Sequence, residues 1–285
     1  MYLFQRVGDL QAFLQAERAN YRSVGFVPTM GALHEGHLAL VRRAKAENQV
    51  AVCSIFVNPT QFNQAEDLLK YPRTPGKDIA LLAQVGCDVL FFPTESEIYP
   101  AGLNTRLDID LAGLDTVMEG AHRPGHFAGV VQVVKRLLDL VEPRRLYLGQ
   151  KDFQQVSVVR QMMRVLAMPA ELVMAPTIRE ADGLAMSSRN MRLSAEARAI
   201  APKLYEVLTQ LRQRALRGNV APADAETQAL AALEQAGFRP EYVSIVDGHS
   251  LRSLTSLSDV SYAVVCAAAW LDGVRLIDNL IIKEK

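Results

Sequence analysis

The stretch VGFVPTMGALHEGHLALVRRAKAENQVAVCSIFV, residues 24–57, decides the architecture. It opens with a short apolar run, 24–30, interrupted by Pro28 and stopped by Gly31. In the next part, 34–48, Leu38, Val41 and Ala44 share one helical face, with Arg42, Arg43, Lys45 and Glu47 outside it. The run 50–57 is β-branched and almost wholly apolar, as a strand covered on both faces requires. Strand, helix and strand in succession predict a βαβ unit, the right-handed crossover of a parallel sheet.

Outward from this unit the alternation continues. Residues 77–87, 129–143 and 152–169 read as helices, and 88–93, 145–149 and 171–176 as strands. The spacing predicts an α/β fold with a doubly wound parallel sheet, Rossmann-like. Segment 94–128 breaks the rhythm with Pro100, Gly102, Gly113, Gly120, Pro124 and Gly125, and reads as a loop-rich insertion. After Pro176 the character changes. Ser194 is placed to cap a helix, and Pro202 either kinks it or starts a second one. Residues 223–237 are Ala-rich and helical, and strand-like runs follow at 241–247, 261–270 and 274–282. Asp272-Gly273 predicts a hairpin between the last two. These features divide the chain into an N-terminal domain, 1–176, and a smaller α+β domain, 177–285.

Composition narrows the function classes. The chain has 285 residues, 49% hydrophobic and 22% charged, ample for a large core. Lys+Arg and Asp+Glu both total 31, so a general nucleic-acid binder, which needs a basic surface, is disfavoured. No run approaches the roughly 20 apolar residues of a membrane span. The first residues lack the basic, apolar and cleavage regions of a signal peptide. Cys53, Cys87 and Cys266 lie far apart in apolar segments, which predicts reduced, buried thiols and a cytoplasmic location.

His34 and His37 sit between a strand and a helix start. There, free N–H groups and the helix dipole favour an anion, and Gly36 admits a close backbone approach. Two polar residues opening a solvated helix would look the same. A second element is GLAMSSRN, 183–190, where Ser187, Ser188 and Arg189 suit the oxygens of a triphosphate. By itself it is a polar loop.

Together the two elements resemble the HIGH-like and KMSKS-like motifs of the nucleotidyltransferase superfamily. The first is His34-Glu35-Gly36-His37. The second is Ala185-Met186-Ser187-Ser188-Arg189, with Ala185 where that pattern has lysine. Three further strings, SIFVNPTQFN (54–63), HRPGHFAGV (122–130) and GQKDFQQ (149–155), make the chain similar to the pantoate–β-alanine ligase family, from about Val27 to Asn190 and on into the α+β half.

The resemblance implies an AMP-forming ligase that joins (R)-pantoate to β-alanine through a pantoyl-adenylate, with pyrophosphate as the other product. It implies a cytoplasmic homodimer acting in pantothenate biosynthesis with ATP and Mg2+, and no nucleic-acid or membrane partner. Residues 30–37, namely Met30, Gly31, Ala32, Leu33, His34, Glu35, Gly36 and His37, become an ATP loop. Gly149, Gln150, Lys151 and Asp152 line the nucleotide, Ile178 walls the adenine, and Met186, Ser187, Ser188 and Arg189 cover the phosphates. Gln61, Gln155, Met30, Arg123 and His126 hold pantoate, and Gln61 with Asn58 meets β-alanine. His37, His34, Lys151, Ser187, Ser188 and Arg189 are the expected catalytic set. Asp78 is a candidate for Mg2+ through water, or a plain helix N-terminal acid. Asp152 caps a helix, contacts the nucleotide, or does both. Two rivals are another adenylating or cytidylylating enzyme of the superfamily and a non-catalytic nucleotide-binding regulator.

Overall fold

The computed structural model describes residues 1–62, 65–218, 220–258 and 260–284. It separates into two compact units. Unit 1 comprises Met1–Leu111, Arg123–Gly149 and Gln155–Pro176, and unit 2 comprises Ala112–His122, Gln150–Gln154 and Thr177–Lys285.

Unit 1 is built on strands β1 (Tyr2–Phe4), β2 (Val24–Thr29), β3 (Val50–Ile55), β4 (Val89–Phe91), β5 (Arg145–Gly149) and β6 (Glu171–Ala175). They form one parallel sheet in the order β1-β4-β3-β2-β5-β6. This is the doubly wound α/β arrangement that the alternation predicts. Helices α1 (Val7–Ala19), α2 (Glu35–Glu47), α3 (Ala65–Lys70), α4 (Pro75–Gln84) and α5 (Glu95–Ile98) alternate with the early strands. Helix α6 (Met118–His122) belongs to unit 2, α7 (His126–Val141) leads into β5, and α8 (Phe153–Val165) leads into β6.

The apolar face of α2, Leu38, Val41 and Ala44, is buried against strand residues such as Val27, Ala51 and Cys53. The opening β1 and α1 carry no signal that the alternation picks out. The apolarity of 50–57 follows from its place in the sheet. β3 lies between β2 and β4, and all six of its residues are buried within the sheet.

In unit 2, strands β7 (Arg239–Asp247), β8 (Tyr262–Leu271) and β9 (Val274–Glu284) form an antiparallel sheet in that order. Asp272 and Gly273 turn β8 into β9 with positive φ at both residues, 52° and 67°, the conformation of a tight hairpin. Ser194 caps α9 (Ala195–Ile200), its hydroxyl accepting from the Ala197 amide. Pro202 is the N-cap of α10 (Lys203–Arg217), so it begins a second helix and does not kink the first. Leu204, Leu208 and Leu211 of α10 and Ala229 and Leu233 of α11 (Pro222–Gln235) share a core with Ile245, Val265 and Ala267 of the sheet.

Among the described residues no helix is long and apolar enough to cross a membrane. All three cysteines are free and buried. Burial pushes the Cys87 thiol up to about 11, and it raises Cys53 and Cys266 as well. Thiolate is the reactive form. A soluble alkylating reagent at pH 8 should therefore label none of the three in the native protein and all three in denaturant, as read by intact mass.

Candidate active site

β2 and β5 pair at Gly25↔Arg145 and Phe26↔Leu146. β2 continues to Thr29 and β5 to Gly149, beyond those pairs. The chain winds from β2 through β3 and β4 to one side and from β5 to β6 on the other. The carboxyl ends of β2 and β5 thus flank the topological switch point, the usual ligand crevice of an open parallel sheet.

The loop leaving β2 turns sharply, with φ of 81° at Gly31 and 48° at Ala32. An added Cβ at Gly31 would meet Ile55 at 3.0 Å and Asp78 Oδ2 at 3.2 Å. Asp78, only 1% exposed in the first turn of α4, stabilises the turn. Its Oδ2 accepts from the Ala32 amide at 2.9 Å, and its Oδ1 accepts from the Leu33 amide at 2.8 Å and the Thr74 hydroxyl at 3.1 Å. Asp78 is therefore a brace for the loop and a helix N-terminal acid. Its bonds engage both oxygens with protein donors, unlike those of a ligand facing a hydrated ion.

His34 is the N-cap of α2 and His37 its third residue. His34 Nδ1 accepts from the Gly36 amide at 3.2 Å, and His37 Nδ1 accepts from the His34 amide at 3.4 Å. The ring centroids lie 4.0 Å apart. A neutral ring whose Nδ1 accepts carries its proton on Nε2. In the neutral form, backbone amides on Nδ1 thereby favour the Nε2-protonated tautomer of both rings. Glu35 is exposed and turned onto Arg42, whose hydrogen bond holds its carboxyl below the usual carboxylate range.

After β3 the chain forms a short turn, 59–61, capped by Asn58. Asn58 is 1% exposed and is held from several sides. Its Oδ1 accepts from the Tyr99 hydroxyl at 2.9 Å and the Thr60 hydroxyl at 3.1 Å. Its Nδ2 donates to Gly129 O at 3.2 Å and to Gln61 Oε1 at 3.3 Å. The Gln61 amide is thereby oriented, with Nε2 directed to Met30 Sδ at 3.0 Å. Gly129 allows α7 to approach this turn. A Cβ there would overlap Thr60 O and sit 2.7 Å from Gln61 N. His126, the first residue of α7, donates from Nδ1 to Gln61 O at 2.8 Å, and its Nε2 faces Arg123 Nη1 at 3.3 Å. Both ring nitrogens thus have protein partners, and the His126 ring secures the 59–61 turn.

Unit 1 also contains Gly149 and the half-buried Gln155. Unit 2 contains the other expected residues. Gln150, Lys151 and Asp152 form a single helical turn, with Lys151 Nζ 3.6 Å from Asp152 Oδ1. Ile178 and Met186 face each other across a hairpin, the Met186 amide donating to Ile178 O at 3.0 Å. Ser187 opens the next turn, its hydroxyl accepting from the Arg189 amide at 3.2 Å. That bond leaves the hydroxyl proton to be donated.

The sequence reading missed Tyr99, because nothing local links it to Asn58. Gly129 left a trace: a glycine inside an apolar helical pattern costs about 1 kcal/mol and implies a packing reason. Among the described residues no three His, Cys, Asp or Glu side chains gather as a metal site. With Asp78 engaged as a brace, this donor set does not fit a resident Mg2+.

A family model described as pantoate-beta-alanine ligase matches residues 2–281. The chain belongs to this family. Pantothenate synthetases of Cytophaga hutchinsonii and Herpetosiphon aurantiacus are 48% and 50% identical to it, over 97% and 94% of this chain and 97% and 96% of theirs. The crystal structure of pantothenate synthetase from Thermus thermophilus is similar at a TM-score of 0.92 and 46% identity, covering 99% of this chain and 100% of that one. The pantoate-beta-alanine ligase of Francisella tularensis, solved complexed with beta-gamma ATP and beta-alanine, gives a TM-score of 0.82 at 35% identity, covering 99% of this chain and 98% of that one.

The Asp78 brace is open to test. Asp78→Ala orphans two buried amides, each costing about 1–3 kcal/mol. The variant should unfold at lower denaturant than wild type, and the loop ahead of His34 should lose amide-exchange protection.

Proposed function

We propose that the chain, an ATP-dependent pantoate–β-alanine ligase, works by adenylation, with His34 and His37 as the donors that stabilise charge at the α-phosphate. The observation that carries this reading is the pair of imidazoles held through Nδ1 by backbone amides at the start of α2, just after the carboxyl end of β2. Helix N-terminus and imidazoles there present partial positive charge without needing a metal ligand.

A carboxylate is a poor acyl donor because oxide would have to leave. In the first half-reaction a pantoate carboxylate oxygen attacks the α-phosphorus of ATP in line, and the bond to pyrophosphate breaks. In the second, the β-alanine amine attacks the acyl carbon, loses a proton, and AMP departs with the bonding pair. The residues mainly position groups and meet developing charge. His34 and His37 donate to the α-phosphate oxygens. Lys151, Ser187, Ser188 and Arg189 take the phosphates that become pyrophosphate, and Met186 and Ile178 take the adenine side.

Gln61 offers its Nε2–H2 to pantoate and then to β-alanine, with Gln155 as a second amide and Met30 as an apolar neighbour. Asn58 acts on β-alanine through Gln61, and Arg123 stands next to that group through His126. His37 is the side chain best placed by chemistry to move the amine proton. Mg2+ arrives on the triphosphate as part of the substrate, and no step is assigned to a protein-held ion. The reading extends to a homodimer, which light scattering at twice the chain mass would support. It also extends to a cytoplasmic location, supported by three free thiols.

An assay with each substrate omitted in turn tests the reaction. Pyrophosphate–ATP exchange should require pantoate but not β-alanine, and AMP release with pantothenate formation should require all three substrates. A non-catalytic nucleotide binder would show neither. His37→Ala should slow single-turnover adenylation on the order of 10²-fold or more while leaving ATP affinity close to wild type. An unchanged adenylation rate removes the histidine from the chemistry. Gln61→Ala should raise the KM for pantoate and β-alanine and leave that for ATP unchanged. Wild-type affinities in that variant would take Gln61 out of the site.

A further inference from the structure

The last strand, β9, reads VRLIDNLII over 274–282, and its two central polar residues are nearly inaccessible, Asp278 at 3% and Asn279 at 2% exposed. Buried polar groups in a strand cost free energy unless every one is bonded. Here the bonds run to two particular places.

Asn279 directs its whole amide at the 150–152 turn. Its Nδ2 donates to Gln150 O and to Lys151 O, both at 2.9 Å, and its Oδ1 accepts from Gln150 Nε2 at 3.1 Å. Asp278 takes both ends of the Arg179 guanidinium, Nη1 at 2.7 Å and Nη2 at 2.9 Å. Arg179 lies at the root of the hairpin that leads into Ser187. It pairs with Ala185 across that hairpin, donates to Gly183 O at 3.1 Å, and stacks 3.9 Å over the Tyr205 ring.

We infer that Asp278-Asn279 is a positioning element for adenylation: one rigid strand sets both the turn that carries Lys151 and the hairpin that delivers Ser187 and Arg189. Neither residue touches substrate in this scheme. The inference rests on the reading that Lys151 and the Ser187–Arg189 loop bind the phosphates of ATP. Its physical basis is that transition-state charge is met only by groups held to within a fraction of an ångström. Lysine is a flexible point charge, so its reach is defined by where its backbone is anchored. Asn279 anchors it at the carbonyl of Lys151 itself.

The test is a double-mutant cycle on single-turnover adenylation. Asn279→Ala should slow it on the order of tenfold or more and raise the KM for ATP, with the KM for pantoate unchanged. In a Lys151→Ala background the same substitution should have little further effect, because the cation it places has gone. An equal effect in both backgrounds, or a wild-type rate for Asn279→Ala, overturns the inference. If Lys151→Ala alone leaves adenylation at the wild-type rate, the phosphate assignment fails first, and that result is distinct from failure of the brace. Should Asn279→Ala not fold, Arg179→Lys probes the other arm. It keeps a cation beside Asp278 but gives up the two-pronged bond. Slower adenylation that vanishes in a Ser187→Ala background supports the brace, and an unchanged rate overturns it.

Discussion

The carboxylate of Asp78 accepting from the amides of Ala32 and Leu33 is the constraint on which the end of unit 1 that carries His34 and His37 depends. The loop between β2 and α2 must reverse direction within a few residues, through left-handed backbone at Gly31 and Ala32. Such a path leaves amides pointing inward with no strand or helix to receive them, and a buried amide without a partner is costly. A single buried acid supplies both acceptors and is itself fixed by Thr74. With the loop so closed, His34 caps α2, and the Nδ1 atoms of His34 and His37 accept from backbone amides.

A comparable chain of dependence fixes the amide at the other strand end. Burial raises the Tyr99 hydroxyl above the ordinary phenol range, so it remains a donor, and it donates to Asn58. Asn58 in turn orients Gln61, while His126 secures the Gln61 carbonyl. The side chains read as substrate-facing are thus single members of networks whose other members come from distant segments.

That difference explains what the sequence could and could not disclose. β5 was legible because RLYLG is a short apolar run between a helical pattern and a charged turn. The cap at Ser194 and the hairpin at Asp272-Gly273 were legible because their chemistry is local. The placement of the histidines at a helix start was legible for the same reason. Asp78 was open to two readings, because its partners lie 46 and 45 positions away and nothing adjacent to it names them. Tyr99, 41 positions from Asn58, and Asn279, 128 positions from Lys151, left no local trace at all.

Gly129 has a consequence for the proposed role of Gln61. Because α7 lies directly on the backbone of Thr60 and Gln61, the turn that carries the glutamine is held by the fold itself. Its conformational entropy is lost during folding, so association does not have to bear that loss. On the proposed role of Gln61, selectivity would then come from a template whose amide direction is set by Asn58 and Met30, which a small acid either matches or does not.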